Sequence, residues 1–207
     1  MSQNHTTWKP LTDSELHEIQ AHRPSVRSTE ASYLLQSIAS GSIEEPTSLY
    51  PRLAALITSS PLVRDQVTLD ATQTPAKSGV LQDLHNTAPA THQQNLALPA
   101  AVTYAAQGNY RAAMPLINNI PTHDADGPWR ETITQARLTM ASPEAFKTTV
   151  IDSFAADLPP RLEVADAVYD RNKYRQASFP AGRDTDATGI TPKHEPPTPD
   201  TGNELEK

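Results

Sequence analysis

Leu96-Ala97-Leu98-Pro99-Ala100-Ala101-Val102-Thr103-Tyr104-Ala105-Ala106-Gln107-Gly108-Asn109-Tyr110-Arg111-Ala112-Ala113-Met114-Pro115-Leu116-Ile117-Asn118-Asn119-Ile120 is the stretch that decides the fold. The alanine-rich run from Leu96 to Gln107 has high helix propensity. Gly108 can take a positive φ and end that helix. Asn109 can cap a second one, reaching Ile120. Ala101 and Ala113 are small enough to let the two helices approach closely, with Tyr104 and Tyr110 filling the space around the contact. Two prolines conflict with the pattern. Pro99 fits a first turn if its helix starts near Ala97, because the N–H that proline lacks is unpaired there anyway. Pro115 has no such position and predicts a kink near Ala112 or a break.

Outward from the hairpin, the 19 prolines punctuate helices rather than argue against them. Ser60-Pro61, Gly127-Pro128 and Ser142-Pro143 each place proline after a capping-type residue, as at a first helical position. Thr12-x-x-Glu15 is a capping box that opens a short helix to about Ala21. Ser28 can cap a helix through Ser40, with Tyr33, Leu34 and Ile38 on one face and Gly41 as its stop. Leu49, Leu53, Leu56 and Ile57 have the spacing of a buried helical stripe. Leu62, Val63, Gln66, Val67 and Leu69 continue it after Pro61. Val80, Leu81 and Leu84 mark a further helix, ended by Pro89. Trp129 to Met140, Glu144 to Ala156 and Leu162 to about Tyr174 complete the series. Strand signals are weak, since β-branched residues rarely alternate with polar ones. The expected fold is all-α, an irregular stack of short helices.

From Gln176 to Lys207 the composition changes. Prolines 180, 192, 196, 197 and 199 stand among six acids and three bases, with only Phe179, Ile190 and Leu205 as large apolar residues. Too little apolar surface is present to offset the ordering entropy. The chain thus reads as an N-terminal segment with a short helix (1–27), a helical domain (28–175) and a disordered, Pro-rich acidic tail (176–207). Fast amide exchange is expected across the tail. Pro192, Pro196, Pro197 and Pro199 could form a short polyproline II ligand.

The motif Ala101-x-x-Tyr104-x-x-x-Gly108-Asn109-Tyr110-x-x-Ala113 resembles the helix-turn-helix unit of tetratricopeptide repeats, spanning about Gln94 to Gly127. A shift of one repeat length places Ser142 at the glycine position, Leu138 at the first aromatic and Lys147 at the alanine. The resemblance therefore implies one tetratricopeptide-like hairpin rather than an array. A wider stretch, about Leu53 to Ile120, carries Leu62-Val63-Arg64-Asp65, Leu81-x-x-Leu84-x-x-x-Ala88-Pro89 and the Gly-Asn turn. It resembles the C-terminal helical half of the actinobacterial domain of unknown function family 4192. That family often has tryptophan just before the turn glycine, where this chain has Ala105-Ala106-Gln107, and its N-terminal α/β half has no counterpart here. The likeness implies a helical fold and no activity.

Composition excludes several chemistries. There is no cysteine, hence no disulfide, thiolate metal site or catalytic thiol. The net charge of -7 disfavours general nucleic-acid binding. The N-terminus has no charged and apolar leader of the secretory kind, so Asn4-His5-Thr6 is not expected to be glycosylated, and no apolar run approaches the length of a membrane helix. The expected location is the cytoplasm. Thr74-Pro75-Ala76-Lys77-Ser78-Gly79 has a Lys-Ser pair but lacks the glycines of a phosphate loop. His17 and His22 fall on different faces of a helix, His85 and His92 flank a proline turn, and no H-E-x-x-H occurs. His123-Asp124-Ala125-Asp126-Gly127 is the most ligand-like cluster. Aligned on its glycine, however, it puts Thr122 and Ile133 where a calcium loop needs Asp and Glu. It reads as an acidic loop that favours the start of the helix at Trp129. Arg64-Asp65 reads as a surface pair or a buried structural ion pair. Asp166, Asp170 and Arg171 read as local helix-surface pairs. Trp8 and Trp129 read as core or docking residues.

No catalytic, cofactor-binding or metal-binding residue is assigned, and no cofactor is expected. The expected function is a non-enzymatic helical scaffold or protein-interaction module with an unidentified protein partner, binding neither nucleic acid nor membrane. The alternatives are an enzyme with an unrecognised site, for example acids around His123, and an accessory protein of a mobile element.

Overall fold

A computed structural model describes residues 8–120 and 127–178. Ten α-helices follow one another, with no strand among the described residues. They are α1 (Asp13–Gln20), α2 (Pro24–Ala39), α3 (Tyr50–Thr58), α4 (Pro61–Ala71), α5 (Pro75–Thr87), α6 (Ala90–Ala106), α7 (Tyr110–Asn119), α8 (Gly127–Leu138), α9 (Pro143–Phe146) and α10 (Asp152–Ser178). A 3-10 turn, Pro46–Leu49, leads into α3. A π-helical segment, Lys147–Ile151, joins α9 to α10. No helix among the described residues is long and apolar enough to cross a membrane.

Helix starts follow local chemistry. Thr12 and Glu15 close the capping box of α1 reciprocally. Ser60, Thr74 and Ser142 each accept an N–H from the first turn of α4, α5 and α9, with proline following directly. The start of α2 departs from expectation. Pro24, not Ser28, opens it, so the boundary expected after residue 27 falls inside a helix. Arg23 offers no side-chain cap there. The missing acceptor comes from 141 residues away: the Ser25 N–H donates to Asp166 Oδ1 of α10 at 3.0 Å. Ser28 is buried, and the inward face is Ala31, Leu35 and Ile38, while Tyr33 is 71% exposed. Gly41, at φ +69°, ends the helix as expected.

Two apolar clusters share α4 and α6. The first joins Trp8 and α1–α5 through Ile19, Leu35, Leu53, Leu56, Ile57, Val63, Val67, Leu81 and Leu84, and takes Leu96 from α6. The second joins α6–α10 through Ala101, Val102, Ala113, Ile117, Trp129, Ile133, Phe146, Ile151 and Leu158, and takes Leu69 from α4. Helix α6 is buried all round from Leu96 to Val102, as a central helix must be. Its alanines let neighbours close in from every side.

Four prolines sit inside helices. Helix α6 starts at Ala90, so Pro99 lies in its interior and not in its first turn. Pro115 lies inside α7, which is not broken. Pro159 and Pro160 lie inside α10, which runs unbroken where two helices and a gap were expected, and extends through Ser178 into the region read as tail. The carbonyls that lose their i+4 donors belong to Asn95, Arg111, Ala155 and Ala156. All four residues are exposed, so water can satisfy them. The tail expected from residue 176 lies, from 179 on, outside the described residues. The helix expected over Glu144 to Ala156 widens into the π segment. A π turn advances less per residue than an α turn, which brings Ile151 round to the core face already held by Phe146.

The turn after α8 carries strain. Ala141 N–H bonds the Ala136 carbonyl at 2.9 Å and Met140 N–H bonds that of Arg137 at 3.1 Å. This is a Schellman stop, with Met140 at φ +50° in the position that favours glycine. Met140 is 88% exposed, so the core gains nothing from its side chain. Met140→Gly should therefore stabilise the protein by about 0.5–1 kcal/mol, relief of the left-handed strain exceeding the added freedom of the unfolded chain. Urea midpoints with an unchanged m-value would show it.

Candidate functional site

The hairpin is built as its residues foretell. Gly108 has φ +75°. Asn109 N–H bonds the Tyr104 carbonyl at 2.8 Å and Gly108 N–H bonds that of Ala105 at 2.9 Å, a second Schellman stop. The Asn109 side chain then accepts the Ala112 N–H at 3.2 Å. Ala101 and Ala113 are both fully buried. Tyr104 is only half-buried at the edge of the contact.

Helices α7 and α8 form a second antiparallel pair, tied at both ends. The Tyr110 hydroxyl donates to the Ala141 carbonyl at 3.0 Å, and its ring meets Phe146 edge-on at 6.4 Å. At the other end the Arg130 guanidinium donates to the Ile120 carbonyl. Between them lies an open groove of about 660 Å³, lined by Tyr110, Arg111, Met114, Pro115, Asn118, Asn119 and Arg137. The α7 members fall at i, i+1, i+4, i+5, i+8 and i+9, so the groove follows one face of the helix for its whole length.

The groove is chemically mixed. Arg111 and Arg137 are exposed and have no ion-pair partner among the described residues. The antiparallel pairing puts both at the end marked by Tyr110 and Ala141, away from Ile120 and Arg130. Pro115 withholds the i+4 donor from the Arg111 carbonyl, leaving an acceptor beside the groove. Asn118 and Asn119 add amide donors and acceptors. Leu138 and Met140, 67% and 88% exposed, follow Arg137 in the chain.

Behind the groove, Trp129 and Asp65 tie α8 to α4. The Trp129 indole N–H donates to the Asp65 carboxylate. Arg64 Nε and a terminal guanidinium nitrogen each lie 3.1 Å from Asp65 Oδ1. Of the two readings of Arg64-Asp65, the buried structural pair is found. Burial raises the Asp65 pKa and outweighs the opposing pull of Arg64, Arg161 and the indole. A folded-state pKa above the unfolded one means that the native state holds its proton longer. Stability should therefore fall as pH rises above the usual carboxylate value, through the window up to the raised folded value. Thermal midpoints taken upward from about pH 4 should decline more steeply in wild type than in Asp65→Asn, in which that titration is gone.

The remaining candidates are engaged structurally or lie elsewhere. Lys77 pairs with Asp70 at 2.6 Å and the Ser78 hydroxyl donates to the Ala71 carbonyl at 2.9 Å, so the Lys-Ser pair locks α5 to α4. Asp166 and Asp170 do not pair along their own helix. Asp166 caps α2, Asp170 meets Arg23 at 2.8 Å, and the Tyr169 hydroxyl donates to the Ala21 carbonyl. His92 stacks on Trp8 at 6.1 Å beside a smaller apolar recess of about 300 Å³. His17 and His85 stay apart, and no group of three metal-ligating side chains occurs among the described residues. His123, Asp124 and Asp126 lie outside those residues.

No protein-family model, curated protein or solved structure matches the chain.

Proposed function

We propose that this chain is a non-enzymatic, cytoplasmic helical interaction module that docks a protein partner along the α7–α8 groove. The observation that supports it is Pro115, an exposed proline inside a helix, lining that groove. Interior proline costs a helix about 3 kcal/mol, and no core contact explains its presence. Met140, strained and exposed three residues beyond Arg137, is a second local cost with no packing return. Such conflicts between local preference and fold concentrate at functional surfaces. Asp65 is engaged with Arg64 and Asp70 with Lys77, while the buried Arg27 donates to the Ser59 carbonyl. The likeness of Leu53 to Ile120 to the actinobacterial family of unknown function is consistent with this reading and lends no activity.

The test is affinity capture with the full chain from the source cell's extract, comparing wild type with Arg111→Glu/Arg137→Glu. Both side chains are exposed, so the variant should keep its helicity and thermal midpoint. Proteins retained by wild type and lost by the variant are expected. An identical set from both proteins would contradict docking in the groove.

A further inference from the structure

We infer that the chain carries its own occupant for the α7–α8 groove: the acidic, proline-rich stretch Glu195-Pro-Pro-Thr-Pro-Asp200-Thr-Gly-Asn-Glu204-Leu205-Glu206. The inference shares the groove with the proposed function but not the partner, since the stretch can dock whether or not a partner exists. Charge complementarity carries it. Arg111 and Arg137 face solvent at one end of the groove with no acid paired to them among the described residues, in a chain whose net charge is -7. From Glu195 to Glu206 there are four acids and no lysine or arginine. Carboxylates and guanidinium groups form charge-assisted, often bidentate hydrogen bonds.

The rest of the stretch suits the rest of the surface. Pro196, Pro197 and Pro199 favour an extended backbone, which loses little entropy on docking. An extended chain offers N–H groups to the Arg111 carbonyl freed by Pro115, and to the Asn118 and Asn119 side chains. Leu205, flanked by Glu204 and Glu206, can cover the exposed Leu138 and Met140, which follow Arg137 in the chain.

Reach is ample. Helix α10 ends at Ser178, and the chain from there to Asp200 spans up to about 75 Å when extended. A domain of this size has a radius of gyration of about 15 Å. A tether of this length holds its end group at an effective concentration on the order of millimolar. Even a weak contact is then substantially occupied in cis. Such a contact exchanges on and off, which leaves amide exchange across the segment fast. It also yields to a partner segment that binds more tightly, so the stretch acts as a competitor for the docking surface.

The experiment uses the full chain. It has no cysteine, so Thr201→Cys takes one nitroxide label, and Met114 supplies a methyl reporter on the groove. The Met114 methyl signal should be broadened by the label in dilute protein, recover when the label is reduced, and recover in 1 M salt, where the screening length falls to about 3 Å. Arg111→Glu/Arg137→Glu should abolish the broadening while the circular dichroism spectrum is unchanged. In a second measurement, a fluorescein-labelled peptide of residues 192–207 is titrated into two full-length proteins, wild type and Glu195→Gln/Asp200→Asn/Glu204→Gln/Glu206→Gln. The neutralised chain should bind at least about fivefold more tightly, because its own tail no longer competes. Equal affinities, or a Met114 signal indifferent to the label, would overturn the inference. Broadening seen only between labelled and unlabelled copies would overturn occupancy in cis and assign the groove to a second copy.

Discussion

Trp129→Ala should cost about 3–5 kcal/mol, the range for truncating a large buried aromatic. Trp129 is 1% exposed and lies at the centre of the second cluster, so the surrounding helices have little freedom to collapse into the space. The substitution also removes the indole donor from the Asp65 carboxylate, a buried charge whose protonation is already favoured by burial. Losing a donor to a buried charged group adds about 1–3 kcal/mol. Trp129→Phe separates the two effects. It keeps most of the ring volume and should cost markedly less than alanine, with the remainder due mainly to the donor. Urea midpoints for wild type and the two variants measure both. A loss below about 1 kcal/mol for alanine would mean that α8 does not depend on this contact.

Gly108→Val is expected to be the next most damaging change, at about 2–4 kcal/mol. Gly108 sits at φ +75°, where a side chain with Cβ costs about 1–2 kcal/mol and a β-branched one is a rare outlier. A Cβ built there would also stand 3.0 Å from Pro143 Cγ and 3.4 Å from its Cδ. That proline opens α9 on a short turn and has little room to move, so overpacking adds about 1–3 kcal/mol before any relaxation. Gly108→Ala isolates the backbone component and the first contact, and should fall between glycine and valine. Unchanged denaturant midpoints for both variants would refute the turn geometry, and with it the antiparallel packing of α6 on α7.

Much of the fold was legible because it rests on local chemistry. The Gly108-Asn109 turn, the capping box at Thr12 and Glu15, and the Ser60-Pro61 and Ser142-Pro143 helix starts all act within a few residues. Where the reading failed, a partner distant in sequence had taken over. Ser28 looked like the cap of α2, but Asp166 of α10 serves as acceptor and allows the helix to start at Pro24. Tyr33 was assigned to the inner face, yet the start at Pro24 and the packing of Leu35 turn it outward. A gap is expected between Ala156 and Leu162, but Leu158 and Leu162 pack into the core beside Pro159 and Pro160, and the residues whose carbonyls lose their donors are exposed. Arg111 and Arg137 have no sequence motif at all. They come together only through the antiparallel pairing of α7 and α8. The one signal for that surface was Pro115, which was read as a defect of the helix rather than as a feature of what the helix presents.

Photo-crosslinking from within the groove tests the central claim most directly. Full-length protein carrying p-benzoylphenylalanine at Met114, and a control carrying it at the exposed Tyr33 of α2, would be irradiated in the source cells. Docking along the α7–α8 groove predicts a discrete crosslinked partner from position 114 that is absent from position 33 and is lost when Arg111→Glu/Arg137→Glu is added. The same products from both positions, or a product from position 114 that survives the two charge reversals, would contradict it.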